Sequence, residues 1–156
     1  VDIDLQLKVE NLLARYVHAL DDDRLEEWPD FFVENGLYRI TTEENFERKL
    51  PLSIISADSR AMLRDRVSAL RHANIYEAQR YRHSVSCTLV ERVGADSARA
   101  ISNFHVARIM HTGEMLLFAS GRYLDRIHLN AAAAQFEERI VVLDSRSVDT
   151  LLAIPL

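Results

Sequence analysis

The chain has 156 residues, 48% hydrophobic and 28% charged, which is enough for one domain with a real buried core. Its formal charge of −5 argues against nucleic acid as the main partner, since phosphate binding asks for a net basic face. No apolar run reaches the roughly 18 residues a membrane helix needs. The opening VDIDLQLKVE is polar and periodic, unlike a signal peptide, and the expectation is a soluble, cytoplasmic protein in which residues 1–156 form a single domain.

Leu5, Val9, Leu12, Leu13, Tyr16, Val17 and Leu20 recur at helical spacing, which predicts an amphipathic helix over 3–20. The acidic run Asp21, Asp22, Asp23 ends it and caps a short second helix carrying Leu25, Trp28, Phe31 and Phe32, broken into two turns by Pro29. Gly36 then opens GLYRITTEEN, which alternates as a strand does, and LPLSIISA is a second apolar stretch. Asp58 or Ser56 is placed to cap a third helix from Ser59 to Ala73, with Leu63, Val67 and Leu70 inward and most arginines outward. Four long alternating segments follow, 82–93, 98–111, 115–128 and 135–144. Short breaks between them suit antiparallel neighbours.

Helices first and a four-stranded meander afterwards, joined by one or two earlier strands, make an α+β layer architecture. Three helices wrapped by a strongly curved, mostly antiparallel sheet give the cone of the nuclear transport factor 2-like (NTF2-like), or cystatin-like, arrangement.

The chemistry-bearing residues exclude more than they assign. A lone cysteine, Cys87, fits a reducing compartment and cannot supply the two thiolates of a Rieske cluster. It falls mid-strand, where a buried inert thiol is expected. His105 and His111 share a strand face but lie about 20 Å apart, too far to hold one ion. HExxH, GxSxG and glycine-rich phosphate loops are absent. Cones of this kind do host acid–base enzymes, and His83, Asp58, Tyr38 and His18 are the set that could serve one. That reading would make the chain a stand-alone dehydratase, isomerase or cyclase acting on a small hydrophobic molecule. A ligand-binding homo-oligomer without chemistry is a third reading. The stretch RHANIYEAQRYRHSV, 71–85, holds two histidines, two tyrosines and three arginines.

RYRHSVS at 80–86, RIMHTGE at 108–114, FASGRYLD at 118–125 and DSRSVDTLLAIPL at 144–156 resemble the small (beta) subunit of aromatic-ring-hydroxylating dioxygenases. EEWPDFFVENGLYRITTEEN resembles that family's helix-to-strand entry, and ADSRAMLRDRVSALRHANIYEAQRYRH is most similar to small subunits of the terephthalate type. The resemblance implies a noncatalytic chain with no metal or cofactor of its own. It implies a large alpha partner, commonly as an α3β3 hexamer, carrying the Rieske 2Fe-2S cluster, the mononuclear Fe(II) and the substrate pocket. Self-association as a trimer belongs to the same picture. Arginine and tyrosine are enriched at protein contacts, so Arg71, Tyr76, Tyr81, Arg82 and His83 are the expected subunit-interface residues. The apolar tail VDTLLAIPL is expected to dock on its own sheet or on a neighbour.

Overall fold

The computed structural model describes residues 1–50, 53–72, 78–145 and 154–156. Helix α1 (Ile3–Asp21) is capped by Asp2, whose carboxylate accepts the Leu5 N–H at 3.0 Å. Its buried stripe runs from Leu5 through Val9, Leu13 and Val17 to Asp21, a spacing of four that ends on a carboxylate. The second helix is a single 3-10 element, Leu25–Phe31, with Pro29 inside it. Proline therefore does not split the segment into two turns. Its missing N–H is tolerated in so short a helix, and Leu25, Trp28 and Pro29 are buried.

Strand β1 (Phe32–Thr42) starts earlier than the sequence suggests. Gly36 marks an irregularity inside it, where the register against the last strand shifts between Phe32 and Leu37. A Cβ at Gly36 would stand 2.9 Å from that of Phe32. The strand also ends sooner, because Thr42 Oγ1 accepts the Asn45 N–H at 3.3 Å and starts helix α2 (Glu43–Glu47). Short β2 (Ile55–Ala57) leads to α3 (Arg60–His72). Ser59 begins α3, its Oγ accepting the Met62 N–H at 3.2 Å, in place of the expected Asp58 or Ser56. Its buried face is Leu63, Val67 and Leu70, as the periodicity requires.

The long strands are β3 (Gln79–Gly94), β4 (Ser97–Met110), β5 (Met115–Leu129) and β6 (Ala134–Leu143). They join the earlier pair in one six-stranded sheet, ordered β2-β1-β6-β5-β4-β3. Every pairing is antiparallel except β1 with β6. Register shifts at Ser86/Leu89, Val106/Ala107 and Arg126/Ile127 mark bulges, which bend strands and let a sheet wrap around helices. Cys87 sits in the first of these with φ +55° and is exposed. The extra residue turns it away from the interior that strand alternation predicts. The AAAA run is no helix: Asn130 Oδ1 accepts the N–H groups of Ala132 and Ala133 and turns the chain into β6.

One face of the sheet packs on α1, α3 and the 3-10 helix around a core led by Trp28, Tyr16, Tyr38, Phe32 and Phe136. Ile154 and Leu156 are buried in it, so the described end of the tail docks on its own domain. Residues 146–153 of the expected tail lie outside the described residues.

Candidate functional site

The interior of the sheet holds charged and polar groups that an aliphatic core would exclude, and each comes from a position whose parity or spacing points inward. Asp21 ends the buried stripe of α1 and faces His83 on β3. Its Oδ2 accepts the backbone N–H of His83 at 2.9 Å, and its Oδ1 accepts from the ring Nδ1 at 2.6 Å. The two side chains are 2% and 0% exposed. The ring's other nitrogen, Nε2, has no hydrogen-bond partner among the described residues.

The same interior holds a second buried group. Asp125 and Arg139 meet through two hydrogen bonds of 2.8 Å. The guanidinium carbon sits 3.8 Å from the Tyr123 ring centre and 4.3 Å from those of Tyr16 and Phe136, an aromatic cage for a cation. Tyr16 Oη accepts from Trp28 Nε1 at 3.0 Å and donates to the backbone oxygen of Leu156 at 3.0 Å. Tyr38 Oη donates to the same oxygen at 2.9 Å and accepts the Leu156 N–H at 3.1 Å. Burial pushes the phenols of Tyr16, Tyr38 and Tyr123 above their ordinary range. Tyr123 Oη and its register partner's hydroxyl, Ser102 Oγ, are buried without a partner among the described residues.

The acid–base set read from sequence is not brought together. His83 finds Asp21 in place of Asp58, Tyr38 holds Leu156, and Asp58 and His18 are exposed. Asp21 was legible as a carboxylate four residues beyond Val17 on an apolar stripe. Asp125 was legible as an acid between Tyr123 and Ile127 on the inward parity of β5.

The expected interface residues separate in the same way. Alternation along β3 turns Tyr81 and His83 into the core and leaves Arg82 exposed between them. These two aromatic side chains therefore present no surface of their own. Arg71 is an intrachain clamp, 2.9 Å from Asp23 Oδ1 and 2.8 Å from Glu26 Oε1. Tyr76 lies outside the described residues. What sequence reasoning missed is the apolar display on the far side of the sheet: Leu89, Met115 and Leu117 are 73%, 70% and 64% exposed. Near Leu89 a groove runs over Ile101, Leu124 and Ile140 between Arg99, Arg126 and Glu138.

Among the described residues no three histidine, cysteine, aspartate or glutamate side chains cluster as a metal site. With Cys87 the one cysteine and exposed on a bulge, the residues of this chain do not fit a Rieske cluster. No helix among the described residues is long and apolar enough to cross a membrane.

With this geometry in place, comparison with known proteins is specific. A family model described as ring hydroxylating beta subunit matches residues 15–150. The chain is 44% identical over 151 residues to the terephthalate 1,2-dioxygenase terminal oxygenase component subunit beta 1 of Comamonas sp, covering 97% of this chain and 98% of that one. The beta subunit of a putative aromatic-ring-hydroxylating dioxygenase from Novosphingobium aromaticivorans superposes with a TM-score of 0.88 at 34% identity, covering 97% and 96% of the two chains. A putative scytalone dehydratase from the same organism reaches a TM-score of 0.72 at 15% identity, covering 98% and 93%, a likeness of fold alone.

Proposed function

Because this chain belongs to the ring-hydroxylating dioxygenase beta-subunit family, we propose that it is the noncatalytic small subunit of a terephthalate-type oxygenase, bound to a large alpha subunit. In this reading the assembly is a hexamer of three alpha and three beta chains, with the beta chains in mutual contact. The alpha subunit holds the Rieske cluster, the mononuclear iron and the aromatic substrate, which receives both atoms of O2 to give a cis-dihydrodiol. A cytoplasmic location, where NADH is at hand for the electron supply, completes it.

One observation carries the structural role. The space that a stand-alone pocket enzyme would offer its substrate is occupied by the chain's own groups, with Arg139 caged by three rings and Leu156 held by Tyr16 and Tyr38. The exposed apolar side chains lie on the opposite side, where they are free to meet another chain. The test is co-expression with a terephthalate-type large-subunit gene, followed by native mass and iron analysis. A complex in which iron follows the alpha chain is expected. Stoichiometric iron on the purified beta chain, or turnover of a substrate by it alone, would overturn the reading.

A further inference from the structure

The outer face of the sheet carries a cavity that the subunit reading leaves without a task. Helix α2 lies against β1 and β6, and the turn after it is closed by the Leu50 N–H, which donates to the Asn45 carbonyl at 2.9 Å. Between this helix and turn and the strands beneath is a cavity of about 670 Å³, within the range that small ligands occupy. None of its lining side chains belongs to the packed core, so it is distinct from the filled interior.

Strand alternation supplies its floor. Tyr38 and Ile40 turn inward, so Arg39 between them turns outward, beside Ile140 in the β1–β6 register. Arg122 reaches the same cavity from β5 but is already matched, its Nη2 lying 3.0 and 3.2 Å from the two carboxylate oxygens of Glu43. Arg39 has no such acid. Its Nε is buried without a hydrogen-bond partner, and among the described residues no ion pair neutralises it. A guanidinium half withdrawn from water without an acceptor is unfavourable. Its two terminal nitrogens remain to meet a ligand, and they form the planar fork that a carboxylate fits.

The rest of the lining selects what that carboxylate should carry. Phe46 and Leu50 are exposed apolar side chains above the strands, and Ile140 is the apolar neighbour of Arg39 below. Charge is equally selective. Arg39, Lys49 and Arg122 set against Glu43 and Glu47 leave one positive charge, which suits a monoanion and leaves a doubly charged phosphate uncompensated.

We propose that this cavity binds a small monocarboxylate bearing a ring-sized apolar group, with the carboxylate held by Arg39 and the apolar group packed on Phe46, Leu50 and Ile140. The site is formed by one chain and does not depend on how that chain assembles.

The test uses the full-length 15N-labelled chain, titrated with benzoate as the probe and with benzamide, acetate and inorganic phosphate as comparisons. Benzoate should shift the amide resonances of Thr41, Phe46 and Leu50 saturably. Benzamide lacks the charge, acetate lacks the ring and phosphate carries a second charge, so each should bind more weakly by about tenfold or more. Arg39→Gln should weaken benzoate by a similar factor and leave resonances remote from the cavity in place. Shifts that never saturate with benzoate would overturn the proposal, as would equal binding of benzamide or phosphate, or an Arg39→Gln variant that binds like wild type. So would loss of the complex with the large subunit in Arg39→Gln while the wild-type chain ignores benzoate, because Arg39 would then serve an acid of the partner. The wild-type titrations decide it even where Arg39→Gln fails to fold.

Discussion

Asp125 and Arg139 stand directly opposite each other in the β5–β6 register and are joined by two 2.8 Å hydrogen bonds, with neither side chain exposed. Removing one partner from such a pair strands the other charge in the core, at about 3–5 kcal/mol, while replacing both with apolar groups is often close to neutral. Arg139→Met alone should therefore lower unfolding free energy by about that amount. The double variant with Asp125→Leu should recover a large part of it. Urea denaturation checks both, and singles indistinguishable from wild type would show that the pair contributes nothing.

Three buried phenols give the protein an alkaline limit. Burial holds Tyr16, Tyr38 and Tyr123 protonated beyond the usual 10.0, so above that pH the unfolded chain releases protons that the folded state keeps. Stability must then fall as pH rises, by about 1.4 kcal/mol per pH unit for each such phenol. Absorbance titration at ~295 nm, where ionised phenols are read, should show these three silent until the protein unfolds. Smooth ionisation of all five tyrosines near pH 10 in folded protein would contradict the burial.

The Arg71 clamp sets a weaker limit on the acid side. Hydrogen bonds from Arg71 hold the Glu26 carboxyl below its usual 4.5. A depressed acid contributes above its unfolded value and loses that contribution as pH falls through the folded one. Glu26 is largely exposed, so the clamp is worth less than about 1 kcal/mol. Arg71→Ala should be less stable than wild type at pH 7, and the gap should close below pH 4.5. A gap that persists at pH 3 would assign it to packing.

Gly121 is where the sheet tolerates no side chain. A Cβ there would lie 2.1 Å from the Val142 backbone oxygen and 3.1 Å from Phe104. Backbone cannot move aside as a flexible side chain does, so Gly121→Ala should cost more than the usual overpacking range of about 1–3 kcal/mol. Gly113→Ala, in an open turn, should cost only its positive φ of +89°. Comparable melting temperatures for the two variants would refute this.

Arg82 separates surface from core. Its neighbours Tyr81 and His83 are buried, so Tyr81→Ala should unfold or destabilise the chain whether or not a partner is present. Arg82→Ala should leave stability within about 0.5 kcal/mol of wild type and weaken only the complex with the large subunit. Native mass of the co-expressed complex reads the difference. An intact complex would remove Arg82 from the interface.

Periodicity carried most of this fold because α1 and the four long strands bury one face each, so an apolar repeat fixes type, extent and orientation together. It failed where a single residue breaks the repeat. Cys87 keeps the parity of Val85 and His83 in sequence, yet the bulge turns it outward. Gly36 signals an irregularity within β1, whereas in sequence it looks like a beginning. The interior charges were harder to read, since an acid at a helix end serves equally as a terminator or as a buried ligand. Only the tertiary neighbour, His83 from 62 residues away, decides for Asp21.

Among the described residues, strand β3 has β4 on one side and no strand on the other, so half of its backbone groups face away from that partner. Helix α1 lies along that open border: Asp21 takes the His83 N–H, and Gln6 Nε2 gives a hydrogen bond to the Thr88 carbonyl at 3.0 Å. The first helix thereby denies a passing extended chain the template it would need to add another rung. A protein built to join other chains by chosen surfaces is, along part of this margin, guarded against joining them by accident.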